Sequence, residues 1–172
     1  MEAAETGPER DRDPAGRAKN ARPRDELGRP LARDAIGQPV MPDGLDVTPE
    51  WALDTAQQLL DSGKPFHAHE VLEAAWKSAP PADRDLWQGL AQLAVGLTHA
   101  LRGNARGATA LLRRGAGRLR GYKGGCPHGV AVDDVIDAAN ALADRIESGG
   151  LSGLGPRDLA LRLTAEAGPR VG

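Results

Sequence analysis

A single cysteine, Cys126, leaves no partner for an internal disulfide, and that usage fits a reducing cytoplasm. Aromatic residues make up only 3% of the chain, and no run of β-branched or aromatic residues reads as a strand. No sign of charge dominates: 22 Lys and Arg stand against 24 Asp and Glu, for a net charge of -2. A chain so balanced has no overall basic field to recruit nucleic acid or an anionic membrane. Long apolar runs are missing too. The longest uncharged stretch, Leu86 to Leu101, holds Gln88, Gln92 and His99 and falls short of the ~20 apolar residues that span a bilayer. Nor is there an apolar leader, because Met1 to Arg33 alternates acids and bases with Pro and Gly, which argues against secretion. A phosphate-cradling glycine loop after a strand and a serine nucleophile elbow are likewise absent. What remains is an Ala-, Gly- and Arg-rich chain of bacterial type, expected in the cytoplasm.

Its 13 prolines and 22 glycines are unevenly placed, and they divide the chain. Residues 1–46 lack hydrophobic periodicity and carry Pro8, Pro14, Pro23, Pro30, Pro39 and Pro42, so they read as a disordered or loosely draped arm. Leu27, Leu31 and Ile36 are its candidates to touch the domain. Residues 47–148 read as a helical bundle. Thr48 caps and Pro49 opens a first helix that Ser62-Gly63 ends. A second runs from Pro65 to about Ala79, where Pro80-Pro81 stops it. A third runs from Ala82-Asp83 to Arg102-Gly103, and Asn104 caps a fourth through Leu119. The fifth carries an apolar stripe of Val132, Val135, Ile136, Ala139, Leu142, Ala143 and Ile146 and ends at Ser148-Gly149-Gly150. Residues 149–172 form a tail with a short sixth helix expected from Pro156 to about Glu166. The fold class is all-α, a five- or six-helix and mostly antiparallel bundle behind a disordered N-terminal arm.

The second helix holds the candidate chemistry. At about 100° per residue, Phe66, His69, Leu72, Glu73 and Trp76 share an arc of roughly 120°, with His67, Glu70, Ala74 and Lys77 outside it. His69 and Glu73 are therefore expected to point inward between large apolar neighbours, where an unpartnered ionisable group is costly. Either the two satisfy each other and fix helix register, or they bind something. The third helix is the natural source of further partners. Leu86, Leu90, Leu93, Leu97 and Leu101 form its main stripe, and its opposite face carries Gln88, Gln92, Val95 and His99 without a charge. Such a helix should be covered on more than one side. Gly89, Gly96 and Gly103 recur every seven residues and would let a neighbouring backbone come close. His99, Gln92 and Glu70 are accordingly the candidates to complete a shell around His69 and Glu73, with Phe66 and Trp76 as the pocket wall.

The run Phe66-His67-Ala68-His69-Glu70-Val71-Leu72-Glu73-Ala74-Ala75-Trp76, then Gln88-Gly89-Leu90-Ala91-Gln92 and Arg102-Gly103-Asn104-Ala105-Arg106-Gly107-Ala108, resembles domain-of-unknown-function family 309. The similarity spans about Val47 to Leu119. It implies a helical fold and an H-x-x-x-E-x-x-[WY] motif, here His69, Glu73 and Trp76, with a suggested role in binding a divalent metal ion. His69 to Glu73 is also similar to the zincin pattern H-E-x-x-H with Glu73 in place of the second His. That substitution leaves two ligands where a catalytic zinc takes three from the protein. The resemblance names no reaction.

Arg102 to Lys123 holds seven basic residues and no acidic one, with Arg106, Arg113 and Arg120 on one stripe as candidate phosphate-binding residues. Acids at Asp133, Asp134 and Asp137 offer a balance, and Tyr122 alone supplies an aromatic for base stacking, which speaks against nucleic acid. Cys126-Pro127-His128 sits in a glycine-rich turn and lacks the second ligand pair of a structural zinc site. The functional expectation is a metal-binding or acid–base pocket on His69 and Glu73, or alternatively a non-catalytic interaction module for a protein or nucleic-acid partner. Homo-oligomerisation stays open.

Overall fold

The computed structural model describes residues 23–32, 37 and 47–165. Among these, five α-helices follow in chain order: α1 (Pro49–Asp61), α2 (Pro65–Ser78), α3 (Arg84–Leu101), α4 (Ala105–Leu119) and α5 (Val132–Gly149). Local chemistry sets their ends. The Thr48 hydroxyl accepts from the Trp51 amide at 3.3 Å, and Asn104 accepts from Gly107 at 2.8 Å, so α1 and α4 begin on satisfied caps. Gly63, Gly103 and Gly150 take left-handed φ values of 71°, 79° and 69° just past the ends of α1, α3 and α5. Pro80 and Pro81 end α2, and a 3₁₀ turn at Pro81–Asp83 leads into α3.

Packing follows chain order, with α1 on α2, α2 on α3, α3 on α4 and α4 on α5. The central α3 is buried almost all round: Leu86, Trp87, Leu90, Ala91, Leu93, Ala94, Leu97 and Ala100 all belong to the core. Thr98, the buried polar residue among them, donates its hydroxyl to the Ala94 carbonyl at 2.9 Å. Two of the three heptad-spaced glycines act as expected. A side-chain carbon at Gly89 would lie 3.1 Å from the Gly115 carbonyl oxygen, and one at Gly96 would lie 3.2 Å from the Leu112 amide nitrogen. A side-chain carbon at Gly115 would in turn lie 2.8 Å from the Gly89 carbonyl oxygen, so α3 and α4 approach backbone to backbone. Gly103 instead makes the turn into α4 and meets nothing.

Two expectations are corrected. The core face of α2 is Ala68, Val71, Leu72 and Ala75, with Pro65 at its start, while Phe66, His69, Glu73 and Trp76 lie half-buried on the flank. The helix is turned by roughly a quarter rotation from the orientation that its largest side chains suggest. Small residues admit close helix contact, and here closeness to α1 and α3 outweighs the size of the aromatics. The large aromatic of the core is Trp87, 2% exposed, rather than Trp76. The sixth helix does not form over the described residues. Residues 151–160 make turns, with Asp158 accepting from the Gly155 amide at 2.7 Å, and 161–165 are extended. Leu161 and Leu163 are buried and Arg162 is exposed between them, a period of two that belongs to an extended strap. The strap joins α1 to the start of α5. Gln57 donates to the Leu161 carbonyl at 3.2 Å and accepts from the Leu163 amide at 2.7 Å, while the Ala131 amide donates to the Leu163 carbonyl at 2.9 Å.

Of the arm expected to be disordered or loosely draped, residues 23–32 form a closed loop lying on the bundle. Leu31 donates to the Pro23 carbonyl at 2.7 Å, and the Asp25 carboxylate accepts from the Leu27 and Arg29 amides at 2.9 and 2.7 Å. Residues 1–22, 33–36, 38–46 and 166–172, including Ile36 and Glu166, lie outside the described residues.

These burial differences separate two tryptophans. Trp87→Ala is expected to destabilise by ~3–5 kcal/mol and the half-buried Trp76→Ala by clearly less. Denaturant melts of the two variants in parallel check the order, and equal losses would place Trp76 in the core after all. Gly115→Val should cost ~1–3 kcal/mol by forcing α3 and α4 apart, despite the better helix propensity of valine over glycine. An unchanged midpoint would mean the two helices are not in backbone contact.

Candidate functional site

The first three turns of α2 carry two His–Glu pairs that flank Phe66. His67 Nδ1 lies 3.3 Å from Glu70 Oε2, and His69 Nε2 lies 3.5 Å from Glu73 Oε2. Helical spacing of three and four residues creates both contacts. Glu73 also takes the Lys77 ammonium at 3.1 Å, so one carboxylate serves an imidazole and a cation. The side chains of His67 and His69 are only 14% and 23% exposed. Phe66 lies between them, its ring centroid 5.7 Å from that of His67 and 6.0 Å from that of His69.

The 23–32 loop supplies the cover. The Arg24 guanidinium sits 5.7 Å above the Phe66 ring, a cation–π distance. Gly28 takes φ 69° directly against the same ring, where a side-chain carbon would overlap it. Arg102, just past α3, donates from Nε to the Leu27 carbonyl at 2.8 Å and also reaches it from its terminal nitrogen. The Phe66 side chain is thus held between α2 and a loop from the segment that precedes α1.

The outcome is a pair of stranded acceptors or donors. His67 Nε2 and His69 Nδ1 are buried and have no hydrogen-bond partner among the described residues. Burial lowers the His69 pKa below the ordinary imidazole value, and it prevails over Glu73 and Glu70, which raise it; Lys77 and Arg24 add to the lowering. Neutral His69 is the form this environment favours.

The further shell expected from α3 does not assemble. Gln92 accepts from Arg118 Nε at 3.3 Å, His99 Nδ1 takes the Asn104 side-chain amide at 2.8 Å, and Glu70 faces His67. Gln92 is drawn to Arg118 because α4 covers α3 along that face, His99 is held at the α3–α4 turn, and Glu70 is taken by His67 within α2. Among the described residues no group of three or more His, Cys, Asp or Glu stands close enough to hold a metal ion. Of the two expected wall residues, Phe66 lies against both imidazole rings, and Trp76, one turn beyond Glu73, packs against the core from the flank.

Sequence reasoning missed His67, Arg24, Gly28 and Arg102. The first was legible in the repeat of a His–Glu spacing, His67 to Glu70 beside His69 to Glu73. Asp25 and Gly28 are turn-forming residue types, but nothing local says which surface such a turn will meet. The other candidates are placed as follows. Arg113 bridges to Asp144 and Glu147 of α5 at 2.6 and 2.8 Å, which takes the middle of the basic stripe into intramolecular ion pairs. Arg106 and Arg120 are exposed. His128, at φ 54°, stacks on Trp87 at 5.8 Å and meets Asp83 at 2.8 Å, whereas Cys126 is exposed.

Fold and site together define a five-helix bundle that presents paired His–Glu turns on its second helix. Residues 53–111, from α1 into α4, match the family model described as Domain of unknown function (DUF309). Within a 48-residue stretch the chain is 48% identical to "Uncharacterized protein YpuF" of Bacillus subtilis (strain 168). That stretch is 27% of this chain, and the chain spans 28% of that protein's length. No solved structure matches. Among the described residues no helix is long and apolar enough to cross a membrane.

The depressed His69 pKa sets a pH dependence with a definite sign. Above about pH 6.5, where an unfolded-state imidazole is neutral, the folded protein has its full stability. As pH falls below that value the unfolded chain takes up the proton first, so stability drops until the folded-state pKa is passed. Denaturation midpoints at about pH 7.5 and 5.5 should therefore differ less in His69→Gln than in the parent. Identical differences would show that His69 is not desolvated.

Proposed function

We propose that His69 and Glu73 form an acid–base pair that accepts a proton from a small ligand held on the flank of α2, with Phe66 and Trp76 excluding water. The supporting observation is the buried, unpartnered Nδ1 of His69 on a ring whose Nε2 faces a carboxylate. Glu73 holds the ring proton on Nε2 and leaves the Nδ1 lone pair free, which is how a carboxylate orients a histidine base. The 3.5 Å separation is longer than a standard hydrogen bond, and such contacts tighten when a ligand excludes water. Desolvation keeps the base unprotonated near neutral pH.

A divalent metal is the role that the family resemblance implies for His69 and Glu73. The described donor set does not fit a site with three protein ligands, because Gln92, His99 and Glu70 are engaged elsewhere. A second reading, a non-catalytic interaction module with structural His–Glu pairs, draws support from Glu73, which Lys77 already neutralises. Under either reading the single cysteine and balanced charge suit a bacterial cytoplasm.

Long-range ¹⁵N correlation spectra of the histidine rings test the proposal. At neutral pH His69 should be uncharged with its proton on Nε2, and Glu73→Gln should lower its pKa further, since that carboxylate raises it. A charged ring, or a proton on Nδ1, would refute the acid–base reading. Elemental analysis of protein purified without chelator or metal affinity provides the second arm. Stoichiometric metal that vanishes in His69→Ala would replace the proton acceptor with a metal ligand.

A further inference from the structure

A cleft of about 510 Å³ opens at the end of the bundle where α1 finishes, α2 begins and α3 finishes. Leu60 and Leu97, 5% and 1% exposed, form its floor, and Pro65, Leu101, Leu154 and Leu159 form its walls. Its size lies within the range of small-molecule sites. Three separate segments of chain converge on it: residues 60–65, the last turn of α3 and the turn after α5. Leu101 is 38% exposed, one of two large apolar side chains in that state among the described residues, and it borders this space.

Polar character is confined to one end. Asp61 is the charged residue lining the cleft, and it closes α1, whose last turn holds no basic residue. The C-terminal end of a helix carries partial negative charge, so carboxylate and helix end reinforce each other. One Asp61 oxygen accepts from Gln57 at 2.9 Å, and the other has no partner among the described residues. The Ser62 hydroxyl is already used on the Gln58 carbonyl at 2.7 Å. The neighbouring cations in sequence, Lys64 and Arg157, do not line the space.

We infer that this cleft binds an amphipathic ligand with an apolar body and a cationic amine head placed at Asp61. An apolar body removes the Leu101 and Leu159 surfaces from water, which drives binding without direction. The head group sets the specificity: an ammonium is attracted at the rim, and a carboxylate of equal chain length is repelled by Asp61 and by the helix end.

The test is a titration of the full chain with octyltrimethylammonium, octanol and octanoate below their aggregation concentrations. The Gly63 and Gly155 amide signals, at the rim, report binding by NMR. Saturable shifts confined to the cleft are expected, tightest for the cation and weakest for octanoate. Asp61→Asn should bring the cation down to the affinity of octanol, a loss of about threefold or more. Leu101→Arg, at an exposed position that tolerates change, should weaken the cation at least about tenfold by setting like charge beside it. Octanoate binding as tightly as the cation would overturn the inference. So would shifts spread over the whole surface, or affinity indifferent to Leu101→Arg. None of these outcomes bears on the His69–Glu73 pair.

Discussion

The approach of α3 to α4 at backbone distance governs the arrangement around it. Gly89, Gly96 and Gly115 remove the side chains that would hold the two helices apart, and each places its vacant position within about van der Waals reach of backbone on the other helix. With α4 pressed along one side, α3 is covered on the other by α2. This is why it carries no charge from Leu86 to Leu101 and why nearly all of it is core. The contact also commits Gln92. Since α4 runs beside it, its side chain meets Arg118 of that helix and is lost to α2.

The position of the His–Glu pairs follows from the same constraint. α2 meets α1 and α3 through Ala68, Val71, Leu72 and Ala75, three of which are small or β-branched. A close seam built from such residues pushes the larger Phe66, His69, Glu73 and Trp76 onto its edge, where they are half-covered and need a lid. Residues 23–32 provide one, anchored by Arg102 at the end of α3. Desolvation of His69 is therefore a joint product of two stretches separated in sequence, the Phe66–Glu73 turns of α2 and the 23–32 loop.

That distance explains what the sequence could and could not disclose. Helix limits were legible because their signals are local: Thr48-Pro49, Ser62-Gly63, Pro80-Pro81 and Asn104 act on the residues beside them. The role of Gly89 and Gly96 was legible from their spacing on an uncharged helix. The phase of α2 was not, since a helical wheel ranks residues by hydrophobicity, and this seam selects for smallness instead. The final segment departs from the expected sixth helix for a related reason. Leu159, Leu161 and Leu163 keep a period of two, but short apolar spacing beside Pro156 reads as easily as one helical turn. Gln57, which pins the strap from α1, looks in sequence like any solvated glutamine.

Charge pairs occur in two settings, and they do different work. Arg113 with Asp144 and Glu147, and Arg145 with Asp158, lie in solvent at the α4–α5 side, where water screens attraction and long side chains lose entropy on pairing. The bundle would keep its register through glycine contacts and leucine packing without them. The pairs on α2 are different because their imidazoles are largely withdrawn from water. There, protonation is opposed by burial, and a carboxylate one turn away cannot fully repay it. A helix that needed only stability at this face could have carried leucine, which has no polar atom to strand. Keeping two imidazoles there, each with one nitrogen facing a glutamate and the other without a partner among the described residues, costs stability that a structural role does not recover. That cost is the physical argument for reading the α2 flank as a place where a ligand supplies the missing partner.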